Sequence, residues 1–88
     1  MSEELNLPRY KCHKEVRAAR IRGIIINEGT GGASLCFKDY PNIEVDHLFM
    51  TKHNPSSGGY YVVYDDGYTS WSPAKAFEDG YTLIEEAA

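Results

Sequence analysis

The stretch "YYVVYDDGYTSWS", residues 60–72, constrains the chain more than any other. Two runs rich in β-branched and aromatic residues flank Asp65-Asp66-Gly67, and an Asp-Gly between such runs is the strongest short-range signal for a β-hairpin. On the first run Tyr60, Val62 and Tyr64 share one face, while Tyr61, Val63 and Asp65 share the other. Beyond the turn, Tyr68, Ser70 and Ser72 alternate with Thr69 and Trp71. Residues 58–81 hold five of the seven tyrosines and the only tryptophan. A sheet of this size is not expected to bury tyrosines on both faces, so some aromatic surface is expected in solvent or between subunits. Val62, Tyr64 and Phe77 are the expected core.

The rest of the chain reads around that hairpin. Ser72-Pro73 suggests an N-cap followed by proline at the first helical position, and "AKAFED" makes about two helical turns before Gly80. "YTLI" returns as a last strand. Upstream, residues 9–27 read as one long strand or two short ones, with a bulge near Arg22-Gly23 to reconcile an imperfect alternation. "NEGTGG" is a turn and "ASLCFKDY" a short strand. Ile43 and Val45 start extended, Asp46 caps a short helix, and Asn54-Pro55 stops it. The expected fold class is α+β: a small, β-rich antiparallel sheet, one layer closed by its aromatics, with two short helices. The 88 residues suffice for a single domain, 1–88, with residues 1–8 and 85–88 as frayed termini.

Composition narrows the function classes. No apolar run approaches the ~20 residues of a membrane span and the first residues lack a signal peptide's apolar region, so a cytoplasmic protein without a membrane partner is expected. Cys12 and Cys36 form no Cys-x-x-Cys pair and are expected to be reduced structural thiols. The net charge of −4 conceals an asymmetry: residues 1–22 carry +3 and residues 23–88 carry −7. An acidic chain is a poor binder of nucleic-acid polymers, which need many lysines and arginines. A basic stripe on an acidic body can nevertheless hold one small anion.

Catalytic and metal chemistry find little support. His13, His47, His53, Cys12 and Cys36 are scattered at no zinc-site spacing. A nucleophile and base drawn from Cys12 or Cys36 with His53, or from Ser70 with His47, has no motif behind it. "GTGG" lacks the helix and lysine of a phosphate-binding loop. No enzyme, metal or cofactor is expected. Binding fits better: tyrosine and tryptophan offer flat stacking surfaces with hydrogen-bonding tips, and arginine meets phosphate through paired donors. The candidate ligand-binding residues are Trp71 and Tyr68 to stack on a base, Arg20 or Arg22 to face phosphate, and Asp65 or Ser72 to fix ribose hydroxyls.

Two resemblances bear on this. "YKCHKEVRAARI" at residues 10–21, with "KHNPSSGGYYVVYDDGYTSWSPAKAFEDGYT" at 52–82, resembles a group of small bacteriophage and prophage proteins. They share a Cys-His-Lys start, a Gly-Gly-Tyr strand and a Ser-Pro-x-x-Ala-Phe ending. The segment "YVVYDDGYTSWSPAKAFEDGYTLI" is also similar to the C-terminal half of viral Thoeris anti-defence sponge proteins. That likeness reaches Asp66, Gly67, Trp71, Pro73 and Tyr81, and it implies a pocket at Trp71. It implies a small homo-oligomer in the host cytoplasm that sequesters a cyclic-nucleotide-type immune signal without cleaving it. The alternative is a phage protein–protein interaction module that inhibits or adapts a host protein, using its acidic C-terminal face.

Overall fold

Eight strands and two short helices follow one another along the chain, which the computed structural model describes over residues 7–11 and 15–83. In order they are β1 (Arg9–Lys11), β2 (Glu15–Arg20), β3 (Gly23–Ile26), β4 (Ala33–Cys36), β5 (Ile43–Val45), α1 (His47–His53), β6 (Tyr60–Tyr64), β7 (Thr69–Ser72), α2 (Ala74–Gly80) and β8 (Thr82–Leu83). The class is α+β with antiparallel pairing, as expected, but the strands divide between two sheets instead of one layer. The larger has the order β7-β6-β2-β1-β8 and the smaller β3-β4-β5.

The division falls inside the basic segment that reads as continuous in sequence. The Ile21 N–H donates to the Gly59 carbonyl at 2.7 Å, and the Ile21 carbonyl accepts from the Gly58 N–H at 2.7 Å. Ile21 therefore extends the larger sheet. The next N–H, that of Arg22, donates instead to the Cys36 carbonyl at 2.7 Å. Gly23 also pairs with Cys36, so two residues oppose one, which is the arrangement of a bulge. The expected bulge is where the alternation breaks, and its effect is to pass the chain from one sheet to the other.

The hairpin forms as its sequence demands. Val63 pairs with Thr69, the Gly67 N–H donates to the Tyr64 carbonyl at 2.9 Å, and Gly67 takes φ 92°. A three-residue loop with its last residue left-handed is the geometry an Asp-Asp-Gly turn favours, since glycine alone adopts it without strain. Asp66 adds an Asx bond, accepting from the Tyr68 N–H at 2.9 Å.

The capping signals split. Asp46 caps α1 as expected, its carboxylate accepting from the Phe49 N–H at 2.9 Å, and Asn54 ends it in the left-handed region. At α2 the cap falls one residue late: Pro73, not Ser72, is the N-cap, with no side-chain bond. Ser72 is retained in the β6–β7 ladder opposite Tyr60, and its hydroxyl donates to the Pro73 carbonyl at 3.3 Å.

Tertiary packing covers both faces of β6. Tyr61 and Val63 join Ala19, Ile21, Leu35, Phe37, Ile43 and Phe49 between the larger sheet, the smaller sheet and α1. Tyr60 and Val62 join Val16, Ala18 and Phe77 under α2. Tyr60 and Tyr61 are both buried, contrary to the expectation that tyrosines on both faces could not be, while Tyr68 supplies the exposed aromatic surface that was expected. The reason is that the three-stranded sheet and α1 close one face, while α2 closes the other. Phe77 stacks between Tyr60 at 4.3 Å and Tyr81 at 4.5 Å, with Tyr10 edge-on at 4.8 Å. Val62 and Phe77 are core as expected, whereas Tyr64 is only half-buried. Leu7 is 2% exposed, and its carbonyl accepts from Arg17 Nη1 at 2.8 Å, so residues 7 and 8 are packed and not frayed. The expected fraying at residues 1–6 and 85–88, and the strand character of Ile84, lie outside the described residues.

Two measurements check this packing. A methyl group at Gly59 would collide with the Trp71 indole and the Ser72 carbonyl. Gly59→Ala is therefore expected to lower unfolding free energy in urea by about 1–3 kcal/mol, the cost of forcing a close-packed site. The second concerns Tyr60, whose hydroxyl donates to Glu78 at 2.8 Å. Burial, and then that bond, push its phenol up to about 12. The folded state thus holds a proton that the unfolded chain releases near pH 10. Stability should be fully present below pH 10 and fall as pH rises toward 12. Tyr60→Phe should flatten the fall in melting temperature across that window, leaving the smaller part due to Tyr10, which burial also raises.

Candidate functional site

Three concave surfaces hold four of the six sequence-predicted residues, Arg20, Arg22, Tyr68 and Asp65. The first arises where the chain passes between sheets. Arg20 ends β2 and Arg22 follows one residue later, with the buried Ile21 as floor between them. Lys38 comes in from the end of β4, and Ser57 and Gly58 form the opposite wall of an open groove of about 520 Å³. Arg20 is aimed by its Nε, which donates to the Gly58 carbonyl at 3.0 Å. Three of the chain's nine basic residues thus meet in one groove of an acidic molecule. A smaller neighbouring depression of about 230 Å³ shares Arg20 and Lys38 and adds Asp39 and Tyr40.

The second concavity lies at the tip of the hairpin. Tyr64, Asp66, Tyr68 and Tyr81 line about 380 Å³. Tyr68 is 46% exposed, its ring 5.8 Å from that of Tyr64 and 6.3 Å from His53 on α1. The Lys52 ammonium stands 5.0 Å from the Tyr68 centroid, a cation–π distance. Burial, then the charge of Lys52, hold the His53 imidazole below its ordinary pKa, which keeps it neutral beside the cation.

The six predicted residues do not converge. Arg20 and Arg22 share the basic groove, and Tyr68 lines the tyrosine concavity. Asp65 lines a third depression with Arg9, Glu15 and Arg17. The ladder separates the remaining pair: Trp71 stands opposite Tyr61, in a row with Ala19, while Ser72 stands opposite Tyr60, in a row with Arg20. Adjacent rows face opposite sides of a sheet, so Trp71 and Arg20 point away from each other. Trp71 packs half-buried against the core around Tyr61, its indole edge over Gly59. Its indole nitrogen is buried with no acceptor among the described residues.

Sequence reasoning missed Lys38, Ser57, Tyr64, Asp66 and Tyr81 as lining residues. No local signal marks Lys38, because the bulge sets both Arg22 and Gly23 against Cys36 and the ladder from the "NEGTGG" turn ends before it. Cys36 is a half-buried free thiol, while Cys12 and His13 lie outside the described residues. Among the described residues no helix is long and apolar enough to cross a membrane.

The architecture has a counterpart among solved structures. The chain is similar to the monomeric form of the phage L decoration protein, solved in solution by NMR, with a TM-score of 0.69 and 26% identity. The match covers 86% of this chain and 58% of that one, so this chain spans little more than half of the other's length. No family model matches the sequence. No curated protein matches it. The likeness supports a phage protein, which agrees with the first of the sequence resemblances. The sponge resemblance finds no counterpart in these comparisons.

Packing and exposure separate the two aromatic candidates. Trp71→Ala should cost about 3 kcal/mol of stability, the range for truncating a packed indole. Trp71→Phe, which also removes the unpartnered N–H, should cost far less. Tyr68→Ala is expected to stay within about 0.5 kcal/mol of the parent, as surface changes do. Chemical denaturation of the three variants checks the ordering.

Proposed function

We propose that this chain is a phage decoration-type protein, a small non-catalytic module that attaches by protein–protein contact to the outside of an assembled phage particle. The observation that carries the proposal is the fold likeness to the phage L decoration protein along 86% of the chain. The basic groove of Arg20, Arg22 and Lys38 is the assigned contact. It concentrates positive field on a chain of net charge −4, and arginine's planar fork suits carboxylates on a partner surface. The protein would meet its particle inside the host cell, where phage heads assemble. This is the interaction-module alternative of the sequence reading, with a phage partner and the basic surface in place of the acidic one.

A second reading, sequestration of a small nucleotide, is favoured by one observation. Tyr64, Tyr68, Tyr81 and Asp66 line a concavity of about 380 Å³, and two of them are positions that the sponge resemblance reaches. Stacking on a tyrosine contributes about 1–3 kcal/mol per base. In that reading Arg20 and Arg22 would serve a ligand only across a subunit boundary, which calls for a homo-oligomer.

Co-sedimentation with heads of the phage that encodes the chain decides between them. Wild-type protein should pellet saturably, and Arg22→Glu with Lys38→Glu should weaken binding at least tenfold, about 1.4 kcal/mol. Tyr68→Ala should bind heads as the parent does. Absence of pelleting at every concentration overturns the decoration reading. Intact nucleotide released stoichiometrically on denaturation, and lost in Tyr68→Ala, would establish sequestration instead.

A further inference from the structure

Strand β3 lies at the edge of the smaller sheet, bonded among the described residues only to β4. It carries three consecutive isoleucines, of which Ile25 is 62% and Ile26 53% exposed. An exposed apolar edge strand is a template for pairing with another chain. The direction of its backbone groups follows from the turn. Asn27 pairs with Gly32, its N–H donating to the Gly32 carbonyl at 2.8 Å, and bonded pairs alternate along an antiparallel ladder. Ile25 and Gly23 therefore bond inward to Ser34 and Cys36. The N–H and C=O groups of Ile24 and Ile26 point outward and have no partner among the described residues.

We propose that this edge pairs with the β3 edge of a second copy, antiparallel and centred on Ile25. Two copies then form one continuous six-stranded sheet, with β5 strands at its outer edges. The register is fixed by two conditions. Outward-bonding residues must meet outward-bonding residues, which puts the centre on a residue and not between two, and within the isoleucine run that leaves Ile24, Ile25 or Ile26. Centring on Ile24 places Ile26 against Arg22, and centring on Ile26 places Ile25 against Asn27. Only the centre at Ile25 pairs isoleucine with isoleucine throughout: Ile24 with Ile26 of the second copy, and Ile25 with Ile25. The same register brings Arg22, at the bulge before β3, toward Glu28 of the second copy, in the turn after it, so charges of opposite sign meet at each end. The surface is thus self-complementary in hydrogen bonding, apolar contact and charge, as a two-fold interface requires. It uses a different part of the molecule from the tyrosine concavity and meets the basic groove only at Arg22, while its register rests on the three isoleucines.

Cysteine cross-linking tests the register directly. Residues paired without mutual hydrogen bonds approach to Cα separations of about 4.5 Å, so Ile25→Cys should oxidise to a covalent dimer. Ser34→Cys lies on the same face one strand inward, about 14 Å from its counterpart by three strand spacings, and should not cross-link. Both variants are made in the full chain with Cys12 and Cys36 replaced by serine. Wild-type protein should sediment at twice the 9.9 kDa chain mass at high concentration. Ile25→Lys, which sets like charges face to face, should raise the dimer dissociation constant at least tenfold while the circular dichroism spectrum is kept. A monomer at every concentration overturns the proposal. So does a dimer indifferent to Ile25→Lys, or equal cross-linking at positions 25 and 34.

Discussion

The peptide link between Ile21 and Arg22 holds the two halves of the molecule together. On one side of it, Ile21 exchanges backbone hydrogen bonds with Gly58 and Gly59, and on the other, Arg22 bonds to Cys36. One residue step therefore belongs to both sheets. Ile21 is almost fully buried at this junction, where it meets Leu35 of the smaller sheet and Tyr61 of the larger. Gly59 completes it, because the Trp71 indole fills the space a side chain would need. The basic groove is a by-product of the same geometry. Two arginines flanking an inward isoleucine, at a point where the strand leaves its sheet, are left on the surface with a wall of loop backbone opposite.

A domain of this size has little interior, and the fold compensates by burying β6 on both sides. The helices are seven residues each, too short to be stable alone, and each is held by one buried phenylalanine. Phe49 secures α1 over Tyr61, and Phe77 secures α2 between two tyrosine rings. Tyrosine suits this arrangement, since its ring supplies apolar area while its hydroxyl reaches the rim. Tyr60 shows the pattern, its ring stacked on Phe77 and its oxygen bonded to Glu78. A thin core can thus draw on tyrosine rings while their hydroxyls find partners, whereas the buried indole nitrogen of Trp71 has no acceptor among the described residues.

What was legible in the sequence was what local chemistry decides. The Asp-Asp-Gly hairpin, the Asp46 cap, the Asn54 stop and the bulge at Arg22-Gly23 all depend on residues within a few positions of each other. The split into two sheets does not, because it rests on Ile21 meeting Gly58 and Gly59 nearly forty positions away. The burial of Tyr60 and Tyr61 was hidden for the same reason: nothing near residue 60 signals that a second sheet will cover it. Arg20 and Arg22 share one groove because the chain leaves the larger sheet between them, and the dispersal of Trp71, Asp65 and Ser72 emerged only from the register of β6 against β2 and β7. Ser72 illustrates the competition, since the cap its sequence favours lost to the ladder opposite Tyr60.

The pairing of β1 with β8 has a mechanical corollary. Tyr10 stands beside Leu83 and Lys11 beside Thr82, so the described chain starts and finishes on neighbouring antiparallel strands at one side of the sheet. A load applied through the two ends would not shear the sheet along its length. It would peel a two-residue strand from its neighbour one bond at a time, the weakest way to pull on hydrogen bonds. Joined by a short covalent bridge, the same ends would close the chain into a ring without disturbing either core, and the strand most easily peeled away would become the one hardest to lose.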